Sequence, residues 1–127
     1  YSIVNHKQLI EFSKLPIYLR HSDVDFPNKN WNELRNFNGF SDFENNIVDN
    51  IKKPKLDEKF DIVFRISFPY NFEKTLSNKL FVFGTSEYQN IEGHHNYSNL
   101  IKKISNNNLN IITPSKWSKT IFVRVLG

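Results

Sequence analysis

A chain of 127 residues is long enough for one modest domain with a real core and too short for two ordinary ones. Aromatics at 15%, twelve of them Phe, offset a hydrophobic content of 39%, slightly low for a globular protein. The net charge of +4 permits anionic partners, but the lysines are scattered with no run of four basic residues, which argues against a nucleic-acid surface. The absence of Cys excludes disulfides, thiolate metal sites and Cys nucleophiles. No stretch approaches the roughly 18 apolar residues of a membrane span, and no signal-peptide core is visible. The chain reads as soluble and cytoplasmic.

In chain order, Ile3, Val4, Leu9, Ile10 and Phe12 fall mainly on one face at helical spacing, predicting a helix over 3–14 that Ser2 is placed to cap. Leu15-Pro16 ends that helix, and Ile17-Tyr18-Leu19 is expected as a short buried strand running into Arg20-His21. Residues 22–58 are the least regular part, with a weak helical pattern around 41–52. A long irregular insertion of this kind is often functional or mobile. Its Asn content follows the whole chain, where Asn occurs eighteen times, a composition typical of AT-rich coding sequence.

Phe60-Asp61-Ile62-Val63-Phe64-Arg65-Ile66 reads as a strand ending in Ser67-Phe68-Pro69-Tyr70. Two further strands are predicted at 79–84 and 109–113, with a short amphipathic helix between them from the Tyr97, Leu100, Ile101, Ile104 stripe. The last helix is expected to start near Ser115, to bury Trp117, Ile121, Phe122 and Val125, and to close at Gly127. Strands alternating with helices indicate one domain of α/β class, a Rossmann-like open and mostly parallel sheet flanked by helices. Ligands of such sheets sit at the carboxyl ends of the strands. The polar crests Gly84-Thr85-Ser86-Glu87 and Thr113-Pro114-Ser115-Lys116 are therefore where chemistry is expected.

These crests carry a resemblance. Asp61-Ile62-Val63-Phe64-Arg65, then Val82-Phe83-Gly84-Thr85-Ser86-Glu87, then Ile112-Thr113-Pro114-Ser115-Lys116-Trp117-Ser118 resemble the N-terminal half of group 1 glycosyltransferases, the family with two facing Rossmann-like domains known as GT-B. The opening Tyr1-Ser2-Ile3-Val4-Asn5-His6-Lys7-Gln8-Leu9 is similar to the first helix of that half. The resemblance covers most of residues 1–20 and 60–127. It implies the acceptor-side domain of an enzyme that transfers a sugar from a nucleotide-sugar donor to a glycan or other hydroxyl acceptor, without a metal or other cofactor. The family's first strand, its glycine loop and its C-terminal donor domain have no counterpart here. With Met absent even at position 1, the chain is expected to be a fragment that is inactive alone. The alternative is a non-catalytic glycan- or protein-binding module on the same scaffold; a weaker one is an unrelated nucleotide-binding domain.

Each candidate residue has a structural and a functional reading. Ser115 caps the last helix, and the N–H groups beside it, with Lys116, suit an anionic or hydroxyl-rich ligand. Thr85, Ser86 and Glu87 suit hydrogen bonds to sugar hydroxyls, with Glu87 the leading acceptor contact; the other reading is a loop capped by its own side chains. Arg65, inside an apolar strand, either binds a phosphate or carboxylate through its fork or pairs with Asp23 or Glu87. Arg20 and His21 invite the same two readings. His21 and Glu87 are the candidates for a catalytic role, and no catalytic residue is assigned. Adjacent His94 and His95 point apart and argue against a metal site. Trp117 is expected in the core rather than as a stacking platform.

Overall fold

A computed structural model describes residues 2–22, 39–67, 70–85 and 109–126. They form two compact units, Tyr1–Leu56 and Asp57–Gly127. The first holds α1 (Ser2–Ser13) and α2 (Asp42–Asp49). The second holds β1 (Phe60–Ile66), β2 (Ser77–Phe83), β3 (Leu109–Ile112) and α3 (Lys116–Leu126).

In the first unit Leu9 and Ile10 are buried, while Ile3 and Val4 at the start of α1 are exposed. The buried face is thus narrower than the apolar spacing suggests. The helix ends where Pro16 requires, with Leu15 N–H donating to Phe12 O at 3.0 Å. The strand expected at Ile17-Tyr18-Leu19 does not form. Ile17 N–H donates locally to Leu15 O at 2.8 Å, and Ile17 and Tyr18 are 52% and 65% exposed. Three apolar residues after a proline make a strand only when a ladder partner is available, and none is found among the described residues.

α2 begins with a reciprocal cap. Glu44 N–H donates to Ser41 Oγ at 3.2 Å, and Ser41 N–H donates to Glu44 Oε2 at 3.0 Å. The other carboxylate oxygen of Glu44 accepts from Lys7 Nζ at 2.8 Å, which ties α1 to α2. The Lys7 ammonium, and after it the Ser41 N–H, hold the Glu44 carboxyl at about 2, down from its ordinary 4.5. A depressed folded-state value means stability that is fully present above about 4.5 and lost as pH falls toward 2. Between pH 6 and pH 3 the urea midpoint of this unit is expected to fall further in the natural protein than in Glu44→Gln. The pair lies at the surface, so the difference will be small.

The second unit is built on a three-stranded, all-parallel open sheet in the order β1-β2-β3. This is the α/β class, and the three strands expected over 60–113 all form. In a parallel ladder, register partners share a face. One face carries the rows Val63–Leu80–Leu109 and Arg65–Val82–Ile111. Onto it pack Tyr70 and Phe72 from the β1–β2 crossover and Phe122 from α3. Tyr70 and Phe122 meet edge to face at 5.4 Å. The crossover, residues 67–76, is short for a parallel connection, and its described part (67 and 70–76) contains no helix. Its two buried aromatics do the covering that a helix usually does. Ile62 and Ile112 are exposed on the opposite face.

The helix expected around Tyr97–Ile104 and the cap expected at Gly127 lie outside the described residues, as does the side chain of Val125. No helix among the described residues is long and apolar enough to cross a membrane.

Candidate functional site

At the carboxyl edge of the sheet, the chain leaving β2 and the chain leaving β3 lie side by side, because Gly84 N–H donates to Ile112 O at 2.9 Å. The carbonyl of Thr85 accepts from the Tyr70 hydroxyl, which anchors this loop to the core. Gly84 has a steric reason: a Cβ there would stand 2.3 Å from Phe122 Cζ. The backbone passes close against the tip of the aromatic ring.

β3 runs into α3 through Thr113-Pro114-Ser115. Ser115 is the N-cap, its Oγ accepting from Ser118 N–H at 3.1 Å, while Lys119 N–H donates to Ser115 O at 3.1 Å to open the helix. Thr113 Oγ1 also donates to Ser115 O at 3.3 Å. Ser118 is 3% exposed and takes the inward position one turn before Ile121 and Phe122. That placement turns Trp117 outward. Trp117 is 54% exposed on the first turn of α3, which corrects the expectation of a core residue. The signal was present in the sequence: Ser118, Ile121 and Phe122 stand at i, i+3 and i+4, so they share the inward stripe, and Trp117 flanks it. Lys116, the first helical residue, is exposed, and the first turn contains no acid. Ser115→Ala is expected to lower the stability of this unit by about 1 kcal/mol, measured by urea denaturation.

Arg65 stands on β1 one row inside this edge. Its Nη1 donates to Asn71 O at 3.0 Å, Asn71 Oδ1 at 3.0 Å and Glu73 O at 2.7 Å. Burial lowers its pKa, with the Glu73 charge partly offsetting that; a guanidinium stays charged regardless. Arg65 therefore clamps the β1–β2 crossover through two main-chain carbonyls and the Asn71 side chain. Of its two expected carboxylate partners, Asp23 and Glu87 both lie outside the described residues.

Arg20 and His21 belong to the first unit. Arg20 stacks on Tyr18, with Cζ 3.8 Å from the ring centre, donates through Nη2 to the Tyr18 hydroxyl and through Nη1 to Leu19 O at 2.9 Å. His21 Nε2 lies 3.3 Å from Asn5 Nδ2, and the main-chain N–H of His21 donates to Lys52 O at 3.1 Å. The Asn5 side chain therefore already occupies Nε2, in a role set by the tautomer of the ring. Ser86, Glu87, His94 and His95 lie outside the described residues. Among the described residues, no three His, Asp or Glu side chains converge in a group able to hold a metal.

Comparison of the chain with protein-family models, curated proteins and solved structures finds no match in any of the three. The chemistry of the edge thus rests on its own residues. Over 83–85 and 112–117 the described edge offers hydroxyls, N–H groups, an ammonium and an indole face, with neither carboxylate nor imidazole. Such a set is suited to binding.

Proposed function

We propose that the sheet-bearing unit holds a saccharide or similar hydroxyl-rich acceptor at the carboxyl edge of its sheet. In this reading it is the acceptor-side domain of a glycosyltransferase of the group 1 kind, with the nucleotide-sugar donor held mainly by another domain. The observation that carries the reading is the exposed Trp117 beside the Ser115 cap and Lys116. A large flat aromatic left in water next to hydroxyl and ammonium donors is what a sugar needs, because a pyranose presents an apolar C–H face and a polar rim. The α/β class of the unit and the resemblance in its crests support the same reading.

The test is a titration of the protein with a saccharide panel, followed by indole fluorescence and amide chemical shifts. Saturable binding is expected for at least one saccharide, weakened about tenfold or more (at least 1.4 kcal/mol) in Trp117→Ala. Binding of no saccharide, or binding indifferent to Trp117, would reject it. A second reading is a non-catalytic glycan-binding module, which rests on the same exposed Trp117. Transfer of a labelled sugar from nucleotide donors to the bound saccharide by the longest native form of the protein separates the two.

A further inference from the structure

We infer that Arg65 is a positioning residue for the carboxyl edge of the sheet: acting through Asn71 and Tyr70, it holds the Gly84-Thr85 crest beside the crest of β3. Its importance for binding rests on the saccharide reading above, whereas the coupling itself does not. The need for it arises in the β1–β2 crossover. A helix there would satisfy its own carbonyls, but the described part of 67–76 contains none. Asn71 O and Glu73 O turn instead to Arg65 Nη1, at 3.0 and 2.7 Å. Asn71 Oδ1 accepts from the same nitrogen at 3.0 Å and from Glu73 N–H at 2.8 Å, a local turn that stiffens 71–73. These contacts account for a charged residue inside an otherwise apolar part of β1 without any ligand.

Tyr70 adjoins Asn71 in the chain and carries the constraint across the core. It is buried, with ring centres 6.0 Å from Phe72 and 5.4 Å from Phe122, and its hydroxyl donates to Thr85 O. A ring packed between two others moves with its own backbone, so a shift of the 71–73 turn displaces the hydroxyl. The residue before Thr85 is Gly84, whose N–H donates to Ile112 O at 2.9 Å and which stands against the tip of the Phe122 ring. The β2 crest is thus held from β3, from α3 and from the crossover, and Arg65 fixes the last of these. Arg65 stands on β1 with β2 between it and β3, yet two residues link it to the crest.

The experiment is amide hydrogen exchange of the full chain in Arg65→Gln, Arg65→Lys and Tyr70→Phe. Arg65→Gln is expected to speed exchange of the Gly84 N–H about tenfold beyond any change in the protected amides of β2, as local opening does. Arg65→Lys puts three donors on one nitrogen, matching the three acceptors around Nη1, and is expected to restore most of the protection. Tyr70→Phe keeps the ring and removes only the hydroxyl, so it should open the crest to the same degree. Adding Arg65→Gln to it should open the crest little further. Any saccharide that binds the edge should bind Arg65→Gln about tenfold more weakly and Arg65→Lys almost normally. The coupling is disproved if Gly84 keeps its protection in Arg65→Gln, if protection falls evenly over the whole sheet, or if Arg65→Lys behaves like Arg65→Gln. It is also disproved if Tyr70→Phe leaves the crest untouched, an outcome readable even where Arg65→Gln does not fold. A saccharide bound equally by the natural protein and Arg65→Gln would remove Arg65 from the site. Binding of no saccharide would reject the saccharide reading, while Gly84 exchange would still decide the coupling.

Discussion

Phe122→Ala is expected to destabilise the sheet-bearing unit by about 3–5 kcal/mol, enough to unfold much of a unit this small, given total stabilities of roughly 5–15 kcal/mol. Phe122 is 4% exposed and joins three separate parts of the unit: Tyr70 of the crossover, Gly84 at the tip of its ring, and α3 on which it stands. Truncation removes the ring's burial and leaves a void among Tyr70, Phe72, Leu80 and Val82, which cannot collapse without moving the sheet. Urea denaturation followed by far-ultraviolet circular dichroism gives the value. A loss below about 1 kcal/mol would mean that Phe122 is not in this core.

Gly84→Ala is the second large effect, and it acts from the other side of the same contact. Its added Cβ would sit 2.3 Å from Phe122 Cζ and 2.6 Å from Cε2, well inside van der Waals contact. The ring is boxed in by Tyr70, and Gly84 N–H is fixed to Ile112 O, so neither partner yields cheaply. The expected cost is about 1–3 kcal/mol, accompanied by displacement of the β2 crest from the β3 crest. The two residues are coupled, so their effects will not add. In a Phe122→Leu background, Gly84→Ala should cost less than in the natural protein, because the smaller side chain leaves room for the methyl group. Equal costs in both backgrounds would contradict the close approach. Saccharide binding at the edge, if present, should weaken with Gly84→Ala in proportion to the loss of crest alignment.

Much of the second unit was legible from residues close together in the chain. The strands at 60–66, 77–83 and 109–112 announce themselves by apolar runs stopped at Ser67, Gly84 and Pro114. The Ser115 cap follows from a small hydroxyl residue ahead of an amphipathic segment. The cap at Ser41 was equally legible as a Ser-x-x-Glu signature, and it gives α2 a sharper start than the weak helical pattern around it suggests. What failed was the inference from apolar character to burial. Ile17, Tyr18 and Trp117 are apolar or aromatic, yet each is more than half exposed. Burial depends on which other segment arrives at that position, and no local pattern encodes it.

The α/β class, the three strands to within about two residues, the start of the last helix and the polar crests at the strand ends were all readable from the residues alone, because propensity, punctuation and capping act over a few neighbouring residues. The partners of these residues were settled by folding. It gave Arg65 to the carbonyls of Asn71 and Glu73, set Gly84 against the tip of the Phe122 ring, and turned Trp117 outward by giving its inward place to Ser118. It also fastened the Arg20 segment to the Lys52 segment. Those pairings join residues brought together by register and packing, where the geometry of one segment sets the surroundings of another.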